Sequence, residues 1–211
     1  MKKYILLLTL LLSSIAFAVE PKFNDNFKQT KNEIETSSQG KIEVIELFWY
    51  GCIHCYTMDP YLDKWADALP DDVVFKRVPA IPRKSWVPGA KAFYALETLG
   101  LEKELHEKLF DAIHKEKDLD PNNEKALIDW VTLNGKLGKK EVKSAFNSFS
   151  IDTKLKKSYK IFKEAGATGV PTIIIDGNYM TSSTMAGGEQ NAIDITNYII
   201  ENIRNDKKKS N

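Results

Sequence analysis

IEVIELFWYGCIHC, residues 42–55, is the stretch whose reading decides the fold. Ile42 to Tyr50 is rich in β-branched and aromatic residues. Its apolar side chains fall on both faces, as in a strand buried inside a sheet. Gly51 breaks that strand. Cys52-Ile53-His54-Cys55 then opens a helical pattern toward Leu69, with Met58, Tyr61, Leu62, Trp65 and Leu69 at helical spacing and Pro60 expected to kink it. A cysteine at a helix start meets backbone N–H groups that have no partner within the helix. Those groups and the helix dipole stabilise an anion, so Cys52 is the candidate nucleophile, in its thiolate form. Cys55 lies one turn further in, within bonding reach of Cys52 and less exposed. His54 stands between them and can add a hydrogen bond or positive charge near the Cys52 sulfur.

Other uses of two cysteines are weaker. A structural disulfide here would close a very short loop, which gains least from cross-linking. A metal site would have to recruit His106 or His114, which lie elsewhere without paired ligand spacing and read as surface or packing residues. No metal site is expected. Haem attachment needs histidine after the second cysteine, and this chain has Tyr56. Glu46 supports redox use. It sits six residues before Cys52 within an apolar run, where a carboxylate is desolvated and its pKa should rise. Such a group can relay a proton to or from Cys55. The plainer alternative is a glutamate that reaches solvent at the strand end.

Around this stretch, the first eighteen residues, MKKYILLLTLLLSSIAFA, have the form of a secretory signal: Lys2 and Lys3, an apolar run, and Ala16-Phe17-Ala18 as a cleavage site. The apolar run is short for a membrane span. Cleavage after Ala18 would start the mature chain at Val19, outside the cytoplasm, where disulfides persist. The chain has 211 residues, 43% hydrophobic, with 30 basic and 29 acidic side chains. That content supports a real core, and the balance argues against nucleic acid as a partner. Two cysteines are too few for a disulfide-stapled scaffold.

Residues 19–40 read as polar and irregular, turning at Ser37-Ser38-Gln39-Gly40. Val73 to Val78 is a short second strand. Residues 84–165 read as wholly helical: Ala90 to Leu99 stopping at Gly100, Leu101 to Lys115, a helix capped by Asp120 with Pro121 at its first position and ending near Gly135, then Lys139 to Phe149 and Thr153 to Ala165. Lysines 154, 156, 157, 160 and 163 read as a solvated face, with an anion site as the weaker alternative. Thr172 to Ile175, the turn Asp176-Gly177 and Asn178 to Thr181 form a hairpin. An amphipathic helix, Gln190 to Ile203, closes the chain, with lysines 207–209 just beyond it. Gly169-Val170-Pro171-Thr172 is a second landmark. A proline entering a strand donates no ladder bond, and a cis Val170-Pro171 peptide would give it a reason, leaving backbone groups free for an extended substrate. The order predicts an α/β domain of residues 19–83 and 166–211, interrupted by a helical insertion over 84–165.

These residues together resemble the thioredoxin superfamily and, within it, the DsbA-like periplasmic thiol:disulfide oxidoreductases. The resemblance covers essentially the whole chain after residue 18. It is carried by Glu46, Cys52-Ile53-His54-Cys55, Pro60, the insertion, Leu109-Phe110-Asp111-Ala112-Ile113, Phe146-Asn147-Ser148-Phe149, Val170-Pro171 and Asp176-Gly177-Asn178-Tyr179. It implies a thioredoxin fold with an inserted all-helical domain, a cis Pro171 facing the cysteines, and a substrate-binding loop of Val170, Pro171 and Thr172. It implies a redox-active Cys52–Cys55 disulfide and no other cofactor, with Cys52 attacked and Cys55 resolving. It also implies a periplasmic monomer that oxidises reduced, unfolded secreted proteins and is itself reoxidised by a DsbB-like membrane quinone reductase. One departure stands out: the common dipeptide is Pro-His, and here it is Ile53-His54, which changes shape and backbone stiffness at the site. An apolar surface near Trp49, Tyr50 and Val170 is expected to hold unfolded chains; the alternative is that these side chains are core. Competing functions are a reductase or isomerase of the same fold and, in a different class, a secreted chaperone or peptide-binding module with an incidental disulfide.

Overall fold

The computed structural model describes residues 20–38 and 40–209. The expected signal segment, its cut after Ala18 and the new start at Val19 lie outside the described residues, as does Gln39 of the expected turn. Among the described residues, no helix is long and apolar enough to cross a membrane.

Five strands form one mixed sheet: β1 (Lys28–Gln29), β2 (Ile42–Phe48), β3 (Val73–Pro79), β4 (Thr172–Ile175) and β5 (Tyr179–Thr181), in the order β1-β5-β4-β2-β3. β2 runs parallel to β3 and antiparallel to β4, and β5 is antiparallel to both β4 and β1. All seven residues of β2 are buried, as its two-faced apolar pattern requires. Strand alternation sorts them by face. Ile42 and Val44 join a core with Met58 and Leu62 of α1 (Ile53–Ala66) and Ile195 and Ile199 of α8 (Glu189–Lys209). Ile45 and Leu47 pack on the other face with Ile174 and with Ile161 and Ala165 of the helix Phe149–Ala165. Glu46 shares the face of Val44 and so lies under α1.

Between β3 and β4 the chain is helical: α2 (Val87–Thr98), α3 (Glu102–Asp111) continuing into a π-helical turn (Ala112–Glu116), α4 (Glu124–Asn134), α5 (Lys139–Phe146) and α6 (Phe149–Ala165). Their buried cluster, with Phe93, Leu105, Leu109, Phe110, Leu127 and Phe146, also takes in Phe48, Tyr50 and Cys55. The helical segment thus packs onto the end of β2 that carries the cysteines. Tyr94 and Ser158 hydrogen-bond inside this core at 2.5 Å. A four-residue helix, α7 (Ser183–Ala186), precedes α8.

Several local expectations need correction. Residues 19–40 are not wholly irregular, because Lys28–Gln29 adds an edge strand to β5. Asp120 does not cap α4. Its carboxylate accepts from the Asn122 amide in a local turn, and Asn123 is the cap, accepting from the Ala126 amide. The helix therefore starts three residues later than the aspartate-proline pair suggests. α5 ends at Phe146 and α6 begins at Phe149, so the break falls inside the first expected helix, a few residues earlier than expected. The last helix runs through lysines 207–209 rather than stopping before them. The β4–β5 turn is as expected: Asp176 and Gly177 both have positive φ (48° and 70°), the geometry of a type I′ hairpin. A Cβ on Gly177 would also sit 2.0 Å from the Ile34 carbonyl oxygen.

Candidate active site

The chain leaves β2 at Phe48 and enters α1 through Trp49-Tyr50-Gly51. The Cys52 amide donates to the Trp49 carbonyl at 2.9 Å, closing this turn. Gly51 is required because Trp49 folds back over it: a Cβ there would meet the indole at 2.4 Å. Trp49 in turn stacks flat on Trp86, with ring centroids 4.1 Å apart. Cys52 occupies the N-cap of α1 in extended conformation, φ −96° and ψ 114°. The first helical amides therefore turn toward its sulfur.

Both cysteines are thiols. Cys52 is half-buried and Cys55 is fully buried. The two depart from ordinary thiol behaviour in opposite directions. The hydrogen bond from the Cys55 thiol is the largest influence on Cys52, and burial opposes it. With the Cys55 and His54 amides and the charge of His54 added, the Cys52 pKa falls from 9.0 to about 6. Burial pushes Cys55 well above its ordinary value, and the hydrogen bond it gives to Cys52 adds to the effect. One sulfur is thus poised as thiolate at neutral pH and the other holds its proton. His54 and Ile53 are both exposed beside the pair, Ile53 by 52%.

The loop before β4 closes the other side of Cys52. The Val170–Pro171 peptide is cis. Cys52 Sγ lies 3.4 Å from the Val170 carbonyl oxygen, to which it donates while protonated. Val170 is half-buried, whereas Pro171 and Thr172 are buried. The Thr172 hydroxyl is turned back on the Gly169 carbonyl (2.8 Å). Residues 118 apart in sequence meet here only because β4 pairs with β2.

Glu46 is 1% exposed, so it does not reach solvent. Burial is the main reason its pKa rises to about 8, with Arg77 opposing and Asp59, Asp63 and Cys52 adding to the rise. The Arg77 guanidinium is shared. Its Nη2 donates to Asp59 (2.9 Å) and Asp63 (2.5 Å), while its Nε stands 3.4 Å from Glu46 without a hydrogen bond. Burial would raise the Asp59 pKa, but His106 and Arg77 outweigh it and hold Asp59 below the carboxylate range. The ion pair satisfies Asp59 first and leaves Glu46 the more readily protonated carboxyl.

For Tyr50 the core alternative holds, and for two histidines the expectation fails. Tyr50 is not part of an exposed apolar surface. It is 1% exposed, with its ring against Phe48 and Phe110. Nor are His106 and His114 ordinary packing residues. The Tyr50 hydroxyl is 2.7 Å from His106 Nδ1, and His106 Nε2 reaches Asp59 at 3.2 Å. His114 Nε2 donates to the Tyr50 carbonyl at 2.7 Å. The one sequence signal was their spacing, about two helical turns, which puts both on one side of the same helix. Among the described residues no cluster of histidine, cysteine and carboxylate side chains has the makings of a metal site.

This dithiol at a helix start, with one acidic and one buried sulfur beside a cis-proline loop, is equipped for thiol–disulfide exchange. Comparisons with known proteins agree. A profile of the DSBA-like thioredoxin domain matches residues 73–198, the part that follows the cysteine pair. The thiol:disulfide interchange protein DsbA of Pseudomonas aeruginosa is 38% identical over 184 residues, covering 87% of this chain and 86% of that protein. The DsbA of Burkholderia cepacia is 34% identical over 218 residues, covering 99% and 100%. The crystal structure of Pseudomonas aeruginosa DsbA superposes with a TM-score of 0.84 at 34% identity, covering 90% of this chain and 98% of that one. The chain therefore belongs to the DsbA-like thioredoxin family, whose members are thiol:disulfide oxidoreductases.

Proposed function

We propose that this chain is a periplasmic dithiol oxidase, delivered by a signal segment cleaved after Ala18, that donates a Cys52–Cys55 disulfide to reduced, unfolded secreted proteins. The observation that carries this reading is the opposite displacement of the two thiols, Cys52 down to about 6 and Cys55 well up. A dithiol whose outer sulfur is a stable thiolate gives up its disulfide readily, because the reduced form is favoured.

A substrate thiolate attacks Cys52 Sγ. The Cys52–Cys55 bond breaks, and its electron pair leaves on Cys55, which takes up a proton. Glu46, buried and mostly protonated at neutral pH, is the candidate source of that proton. A second substrate thiolate then attacks the substrate sulfur of the mixed disulfide and expels Cys52 as thiolate. The substrate has lost two electrons and the protein has gained them. His54 favours that leaving thiolate. Exposed Ile53 and half-buried Val170 form the apolar rim that meets the substrate, with Pro171 and Thr172 shaping the loop behind it. No cofactor is needed beyond the disulfide. Electrons pass on to a DsbB-like membrane quinone reductase, and the protein works as a monomer. Residues 19–83 and 166–211 form the redox domain and 84–165 its insertion.

A redox titration against glutathione, with thiol trapping in cells, tests the direction. An oxidising potential and a pair held mostly as disulfide are expected. A reducing potential and a pair held as dithiol would make the chain a reductase or isomerase. Cys52→Ser should abolish disulfide transfer.

A further inference from the structure

His114 has no part in the exchange chemistry above, yet it touches the redox turn on two sides. It is carried on the π-helical turn Ala112–Glu116, which ends at Lys117 in left-handed conformation (φ 60°). π-Helical turns are rare in helices and concentrate at functional sites. The wider turn keeps His114 behind Phe110 on the inward face, their ring centroids 6.0 Å apart. From there the imidazole makes two contacts. Its Nε2 donates to the Tyr50 carbonyl, two residues before Cys52, at 2.7 Å. Its ring lies nearly parallel to Tyr56, the residue after Cys55, with centroids 5.1 Å apart and planes 16° apart. The Tyr56 hydroxyl is held in turn by Asp111 at 2.7 Å.

The Tyr50 carbonyl needs that donor. It lies past the last pairing of β2 and before the first turn of α1, and Tyr50 is fully buried. The opposite end of the same residue is fixed by His106 through the hydroxyl. A buried acceptor left unpaired costs about 1–3 kcal/mol, and the peptide would turn to relieve it. Gly51 and Cys52 are next in the chain, and the angle at which Cys52 enters α1 decides whether the His54 and Cys55 amides face its sulfur.

We propose that His114 is a positioning residue for disulfide exchange: reaching out of the helical insertion, it fixes the Tyr50 carbonyl and so aims Cys52 at the first amides of α1. The insertion then does more than cover the site, because it sets the reactivity of a sulfur carried by another part of the chain. This rests on Cys52 being the reactive thiolate.

The test is the thiolate titration of Cys52, followed by absorbance at 240 nm, in the full chain and in three variants. His114→Phe keeps a flat ring on Tyr56 and removes the donor. His114→Gln keeps an N–H in place of Nε2. His114→Met fills the space with neither donor nor ring, and replaces the phenylalanine variant if that one does not fold. The unaltered chain should titrate near 6. Loss of the donor should raise that midpoint by about one unit, tenfold in the thiol–thiolate equilibrium. The exchange equilibrium with glutathione at pH 7 should move about fivefold toward the protein disulfide. His114→Gln should restore both. Folded donor-less variants that titrate with the unaltered chain would overturn the assignment, as would a glutamine variant that behaves like them. A titration near 9 in the unaltered chain would instead overturn the reading of Cys52 itself.

Discussion

Raising the pH from 5 to 8 should stabilise the dithiol form of this protein relative to its disulfide form. Only the dithiol form has a Cys52 that can ionise. Its pKa falls from 9.0 unfolded to about 6 folded, so the stabilisation is complete above pH 9 and is lost as pH falls through about 6. Linkage gives about 4 kcal/mol at the upper limit, about 1.4 kcal/mol at pH 7 and almost nothing at pH 5. Between pH 5 and 8 the gain is about 2.6 kcal/mol, and solvent around the half-buried sulfur trims it to roughly 2 kcal/mol. Glu46 titrates in the same range, but it is buried in either form and largely cancels in the comparison. For a domain of this size, the melting temperature of the dithiol form minus that of the disulfide form should rise by about 4–8 °C. Paired calorimetric scans of reduced and oxidised protein at pH 5, 6, 7 and 8 measure it. A difference that stays constant with pH, or shrinks, would refute the claim that the N-cap position and the Cys55 thiol hold Cys52 as an anion. Cys52→Ser should show none of the rise against the reduced chain.

Other consequences are as direct. Glu46→Gln should stabilise the fold at pH 7 by about 2–3 kcal/mol in urea unfolding, since the native carboxyl is held near 8 against 4.5 unfolded. It should also slow reprotonation of Cys55, and unchanged stability would place Glu46 in a wetter setting than its burial indicates. His106→Leu removes the hydrogen-bond partner of the Tyr50 hydroxyl and one of the two partners of Asp59, and should cost about 2–4 kcal/mol by the same measurement. Tyr94→Phe leaves the Ser158 hydroxyl buried and unpaired, a loss of about 1–2 kcal/mol. Gly177→Ala meets both a positive φ and the Ile34 carbonyl, so it should lower stability by about 3 kcal/mol or more, and a neutral result would show that residues 34–36 can move away.

What could be read from the sequence follows from how local each signal is. β2, Gly51 and the cysteine-bearing helix were legible because the apolar run, the break and the anion-favouring helix start lie within fourteen residues. The burial of Glu46 was legible for the same reason. Its counter-ion was not, because Arg77 comes into place only by β2–β3 pairing, in direct register with Glu46. β1 escaped notice because two residues carry no propensity and their strand exists through β5 alone. Tyr50 could be read as surface or as core because the helices that bury it lie 40 or more residues on in the sequence. The histidines that grip it stand 56 and 64 residues away, and pairing at that distance leaves no local trace.

The sheet ends on one side in β1, only two residues long, and on the other in β3. An outer strand offers unpaired amides and carbonyls to any extended chain that passes, and most proteins seldom meet one. A catalyst of disulfide formation in unfolded polypeptides would meet them at every turnover. β3 carries Lys76 and Arg77 side by side and finishes at Pro79. Lys76 is pinned to Glu43 at 2.6 Å and to Ser37 and Ser38 at 2.8 Å, so the charge stays on that margin. Shortness on one rim, and charge with proline on the other, are recognised defences against aggregation by strand addition. In a protein that handles half-made chains at its cysteines, as proposed above, they would keep it from becoming a template for the aggregation of those chains.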